Sequence, residues 1–99
     1  MSVNKVILLG RVGRDPEAKI VNYNKVVRFS LATNKYWTGK DGSKQTKTEW
    51  HNCVAWSGVA ELIEKYVTKG KELYIEGELQ TRSWESDGMK RYATEVIVN

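Results

Sequence analysis

The stretch KTEWHNCVAW, residues 47–56, gathers two of the chain's four tryptophans with its one histidine and its one cysteine. Three chemistries are open to such a set. His51 and Cys53, at i and i+2, point to one face of a strand and could touch a metal ion, but no second pair with ligand spacing follows, so neither a metal nor a cofactor is expected. Cys53 has no base beside it to make a nucleophile and reads as a small packed hydrophobe. What remains is π-stacking by the indoles of Trp50 and Trp56. On a strand Thr48, Trp50, Asn52, Val54 and Trp56 share one face, while Glu49, His51, Cys53 and Ala55 share the other. The small apolar pair Cys53 and Ala55 suits a crowded interior, which turns both indoles outward.

Catalysis finds little support in the rest of the chain. There is no Gly-rich phosphate loop, no H-x-E or HExxH motif, and a single histidine able to act near neutral pH. GRVGRD (10–15) lacks the third glycine of a dinucleotide fingerprint. Glu76 and Glu78 share a strand face with no accompanying base. A protein that is not an enzyme is expected.

The other two tryptophans, Trp37 in NKYWTGKDGSKQTK and Trp84 in TRSWESDGMKRY, each precede a polar, glycine-bearing stretch that reads as a hairpin turn. Counting by twos from Phe29 and Leu31 places Trp37 with the core unless a bulge intervenes. A single large aromatic belongs to a core or a subunit interface more often than to a ligand site. Four of them among basic residues shift that balance. Lys5, Arg11, Arg14, Arg28, Lys35, Lys40, Lys44, Lys47, Arg82, Lys90 and Arg91 lie on the expected strands and hairpins, several within a few residues of a Trp. Stacking platforms plus cations along a backbone are what a single-stranded nucleic acid needs, and each stacked base contributes about 1–3 kcal/mol. Stacking and phosphate pairing do not discriminate among bases, so the binding would be sequence-tolerant and weakened by salt.

The elements that must position these residues are mostly strands. VNKVILLGRVG (3–13), VVRFSLATN (26–34), TKTEWHNCVAW (46–56), KELYIEGELQTRSW (71–84) and RYATEVIVN (91–99) alternate with a period of two, giving at least five. Val27, Phe29 and Leu31 form one buried row; Leu73, Ile75 and Leu79 form another, with Gly77 among them as a point of sharp curvature or close backbone approach. Pro16 marks a turn or strand-edge break. Val59, Leu62, Ile63, Tyr66 and Val67 recur with helical spacing, so a short helix lies between the third and fourth strands, with Ser57 as N-cap and Gly70 as the stop. That order predicts an all-β, five-stranded Greek-key OB barrel with one short helix between strands 3 and 4. A generic α+β sandwich is the alternative.

The totals agree with a modest binding domain. Ninety-nine residues suit one domain over 1–99, and 40% hydrophobic with 28% charged residues is an ordinary folding composition. A net charge of +4 favours an anionic partner. One cysteine implies no disulfide scaffold, and the apolar run Val6–Leu9 is too short for a leader or a membrane span, so the cytoplasm is the expected location.

The motifs VNKVILLGRVGRDPE, FSLATN, TEWH, YVTKG, LYIEGELQTRSW and RYATEVIVN, spread over nearly the whole chain, resemble the DNA-binding domain of the bacterial single-stranded DNA-binding proteins of tetrameric OB-fold type. The resemblance implies stacking on Trp37, Trp50, Trp56 and Trp84, with the third position commonly Phe in that family. It implies phosphate contacts through Lys5, Arg11, Arg14, Arg28, Lys35, Lys47, Arg82, Lys90 and Arg91. His51 falls where that family has a histidine supporting subunit association, and a homotetramer is implied, with Tyr74, Glu76 and Glu78 offering an outward face for pairing. Action on single-stranded DNA in replication, recombination and repair, at the nucleoid, follows from the same likeness. Members of that family usually continue into a flexible linker and an acidic tail that recruits replication and repair enzymes; here the chain stops at Asn99, so recruitment is not carried over. A rival of another class is a primosome-type protein-interaction module, in which the outward tryptophans hold a protein and nucleic acid is secondary.

Overall fold

The computed structural model describes residues 1–99. In chain order it contains β1 (Val6–Val12), β2 (Glu17–Val21), β3 (Asn24–Thr38), β4 (Lys44–Trp56), α1 (Ser57–Tyr66), β5 (Glu72–Ser86) and β6 (Met89–Val98). Pairing runs β1-β5-β6-β4-β3, and β1 pairs again with β3 through Arg11 opposite Ala32 and Val12 opposite Leu31. The ring is thereby closed into the five-stranded OB barrel, with α1 between its third and fourth strands. β2 is an addition to the expected strands: it forms a hairpin with β3 outside the ring, starting directly after Pro16. Asn22 and Tyr23, with φ of 48° and 67°, make the two-residue turn that suits strand twist.

Closure brings backbones together at two glycines. A side chain on Gly10 would collide with the carbonyl of Ala32, and one on Gly77 with the carbonyl of Ile97. Glycine is required there for lack of space, which is the close approach anticipated at Gly77.

The expected inward rows meet inside. Val27, Phe29 and Leu31 of β3, Cys53 and Ala55 of β4, Ile75 of β5 and Val96 and Val98 of β6 join Val12, Ala60, Ile63 and Val67 in one buried cluster. Leu79 departs from its row and is exposed: it lies opposite the buried Val96 but beyond Gly77, the last β5 residue that pairs with β1.

α1 plugs this cluster with Ala60 and Ile63, while Leu62 and Tyr66 of the anticipated stripe face solvent. Two details of its ends differ from expectation. Ser57 is the first helical residue, at φ 53°, and Trp56 occupies the cap position with no side-chain cap hydrogen bond. The helix stops at Tyr66, and Gly70 with φ 85° serves the following turn instead. A Lys25–Glu64 ion pair at 2.5 Å fastens the helix to β3, and its hydrogen bond raises the Lys25 pKa above the ordinary lysine value.

Candidate nucleic-acid interface

The outward face is built by an unbroken β3–β4 ladder, in which Val26 opposes Trp56, Arg28 opposes Val54, Ser30 opposes Asn52 and Ala32 opposes Trp50. Trp50 and Trp56 are 58% and 41% exposed while Cys53 and Ala55 are buried, so the parity reading of this strand holds. The Trp50 ring lies over Gly13, where no other residue would leave room for it. Arg14 and Ser30 border the same site. Trp56 flanks a second hollow with Lys19, Val26 and Arg28.

Trp84 is 39% exposed and carries the Arg82 guanidinium 4.5 Å from its ring centroid, a cation–π distance. Trp37 is 43% exposed although no bulge interrupts the ladder between Val26 and Thr38. Its parity is that of Phe29 and Leu31; it is open because the hairpin has run beyond the barrel by that point. On Trp50's parity the register instead brings out Tyr36, 71% exposed, opposite Thr46. Between them the Thr48 hydroxyl donates to Asn34 Oδ1 at 2.6 Å, which keeps the two strands in step.

The hairpin tips are ordered by their own chemistry. Asp41 Oδ1 accepts from the Ser43 amide at 3.0 Å and the Ser43 hydroxyl at 2.6 Å, and these bonds, the hydroxyl first, hold its carboxyl below the usual range. Asp87 and Gly88, with φ of 53° and 73°, turn β5 into β6.

The cations fall into two groups. Lys5 pairs with Glu76 at 3.9 Å, Lys47 with Glu49 at 3.6 Å, and Arg11 with Glu72 at 3.7 Å while also donating to the Gly70 carbonyl at 3.1 Å. These exposed pairs are weak and release their cations readily. Arg28 and Arg82 converge on Glu95, beside a cleft of about 320 Å³ that Arg14, Ser30 and Asn52 line together with the carboxylates of Asp15 and Glu17. Arg14, Lys35, Lys40, Lys44, Lys90 and Arg91 have no acidic partner, and Lys90 lies 5.6 Å from the Tyr92 ring centroid.

Of the residues anticipated for subunit contact, His51 follows Trp50 on β4 with the opposite parity, and Tyr74, Glu76 and Glu78 are on β5. His51, half-buried, bonds Thr33 Oγ1 through Nε2 at 2.8 Å. The Tyr74 hydroxyl donates to Glu76 at 2.8 Å, which raises the tyrosine pKa, and these two sit opposite the exposed Leu9 and Ile7. Glu78 is exposed on the same row.

Sequence reasoning passed over three features of this surface: Glu95, Tyr36 and the Gly13 seat. Glu95 lay in an alternating strand like any solvated acid, and its partners are 67 and 13 residues away. Tyr36 was legible in principle, since it shares the even parity of Arg28 and Ser30.

Comparison with known proteins matches residues 3–99 to the Single-strand binding protein family. Single-stranded DNA-binding protein 1 of Chlorobaculum tepidum is 45% identical over 98 residues, covering 96% of this chain and 60% of the relative. The Single-stranded DNA-binding protein of Rickettsia typhi is 48% identical over 101 residues, covering 98% of this chain and 66% of that protein. The chain thus spans less than two thirds of the length of either. A structure described as Plasmodium falciparum SSB complex with ssDNA superposes with a TM-score of 0.87 at 41% identity, over 98% of this chain and 87% of the other. With a closed OB barrel, indoles on its outer face and near-complete coverage by the family pattern, the chain belongs to the Single-strand binding protein family.

Proposed function

We propose that residues 1–99 act as one unit that binds single-stranded DNA without sequence preference, by stacking bases on Trp37, Trp50, Trp56 and Trp84 and pairing phosphates with the surrounding lysines and arginines. Tyr36 joins the stacking set on the Trp50 side of the β3–β4 hairpin. The observation that carries this reading is the solvent exposure of all four indoles on a barrel whose core cluster holds Phe29 as its one aromatic ring and otherwise small and aliphatic side chains. The names of the bacterial relatives, and the ssDNA with which the Plasmodium protein is in complex, support it.

Arg14, Arg28 and Arg82 stand beside Trp50, Trp56 and Trp84 in turn, and Arg91 lies opposite Trp84 on β6; Lys35 and Lys90 extend the path along the hairpins, and Lys5, Arg11 and Lys47 contribute after leaving their surface pairs. In the cell the protein coats exposed strands during replication, recombination and repair in the cytoplasm. It does so as a homotetramer that uses the His51 and Tyr74–Glu78 surfaces, since linked units raise avidity by effective concentration.

Titration with oligo-dT at low salt tests the reading directly. Stacked bases should quench tryptophan emission strongly, in a saturable manner; emission that stays unchanged at micromolar protein overturns it.

A further inference from the structure

Glu95 is the one acidic side chain that the barrel buries, at 7% exposure. It stands on the outward row of β6, and each of its carboxylate oxygens takes a guanidinium from a different strand. Arg82 of β5 donates Nε–H to Oε1 at 3.0 Å, and Arg28 of β3 donates from Nη1 to Oε2. A carboxylate withdrawn from water needs such partners, because an unpaired buried charge is strongly unfavourable. The trio retains one net positive charge, and Arg14 with Asp15 and Glu17 brings the cleft lining to neutrality, so the placing of the guanidinium donors and not an excess of charge has to select a phosphate there. Arg82 spends a single N–H on Glu95, which leaves its other donors free while its Cζ lies 4.5 Å from the Trp84 centroid.

We propose that Glu95 is a positioning residue for the binding face: it locks Arg28 and Arg82 side by side, so that Arg82 backs the Trp84 ring while the remaining guanidinium donors take one phosphate in the adjacent cleft. The inference rests on the proposed binding of single-stranded DNA and adds that one stacking platform and one phosphate site are set together by a carboxylate that touches neither base nor phosphate. Arg28 is 42% and Arg82 49% exposed at the side chain, so each guanidinium meets solvent and a ligand from the position Glu95 gives it. A guanidinium held in place by a fixed carboxylate loses less freedom on binding than a wandering one.

The sign of one substitution separates positioning from bulk charge. Glu95→Gln removes a negative charge from a face that binds a polyanion, so charge alone would tighten binding and steepen its salt dependence. Positioning predicts the reverse, a loss of about tenfold in oligo-dT affinity, the scale on which charge-assisted pairs couple in double-mutant cycles. In a variant whose only tryptophan is Trp84, with the others changed to Phe, Glu95→Gln should also shift the emission of the DNA-free protein.

Arg82→Lys keeps the charge and loses both the flat plane and the Nε donor. It should weaken binding, and Glu95→Gln placed on top of it should add little. Equal or tighter binding by Glu95→Gln, or additive losses in the double variant, overturn the inference. Should Glu95→Gln fail to fold, wild-type affinity in Arg82→Lys overturns it alone. A wild-type protein that does not bind oligo-dT removes the proposed function as well, whereas binding that survives Glu95→Gln removes this inference only.

Discussion

At the scale of single residues, Trp50 and Cys53 are neighbours on one strand with opposite fates. Trp50 covers Gly13 on the outside and Cys53 sits in the core, a division set by the two-residue period of β4. Trp50→Ala should cost about 1–3 kcal/mol of oligonucleotide affinity, the contribution of one stacked base, and lower the melting temperature only slightly because the ring is more than half exposed. Fluorescence titration beside a thermal melt checks both. Burial pushes the Cys53 thiol up to about 12. The folded protein therefore holds it protonated, and a thiol-disulfide reagent at pH 8 should leave it untouched until the chain is unfolded. The sign for stability follows: the unfolded thiol ionises near 9 and the folded one near 12, so the contribution is complete below pH 9 and is lost as pH rises through that window. Alkaline melts of wild type against Cys53→Ala should converge as pH rises from 9 toward 12.

At the scale of elements, the two long hairpins matter most. β3 and β5 each run 15 residues, and the distal part of β3 stands clear of the barrel, which is why Trp37 and Tyr36 are exposed although the parity of Trp37 would bury it nearer the core. Parity reports which side of a ribbon a residue occupies; it does not report whether anything covers that side. Tyr36→Ala should weaken oligo-dT binding by about 1 kcal/mol, at the lower end for a stacked base, with Tyr36→Phe retaining wild-type affinity because the ring does the stacking. Parallel titrations of the two variants decide whether Tyr36 belongs to the binding row. The curved part of β5 has its own vulnerability. Gly77→Ala forces a methyl group against the Ile97 carbonyl and should destabilise by about 2–3 kcal/mol, measured by denaturant unfolding. Here the sequence spoke plainly, because a glycine among alternating apolar residues has few roles other than curvature or close approach.

At the scale of the whole molecule, a net charge of +4 and the unpaired cations near the indoles set how binding responds to salt. The logarithm of affinity for oligo-dT should fall linearly with the logarithm of salt, by about 0.7 for each phosphate neutralised. Arg14→Ala should reduce that slope by roughly one such increment without changing base preference. Sedimentation with and without oligo-dT should give a mass near four times 11.3 kDa for the proposed tetramer, and a monomer at micromolar protein would refute that assembly.

The sequence by itself determined the strands, the helix, the inward rows and the outward placing of Trp50 and Trp56, because these follow from short periods along the chain and from the size of neighbouring residues. It also carried the family pattern from end to end. The extra β2 hairpin went unread, since the strand is short and exposed at every residue, with no buried row to announce it. Only the tertiary structure decided that β1 pairs with both β3 and β5, that Trp37 lies on the opposite side of its ribbon from Trp50 yet remains open, and that Glu95 is buried between Arg28 and Arg82. The ring closure and the Arg28–Glu95 contact depend on segments tens of residues apart meeting at one place, and a local alternation of polar and apolar residues holds no record of which distant partner closes the ring or of what covers Trp37.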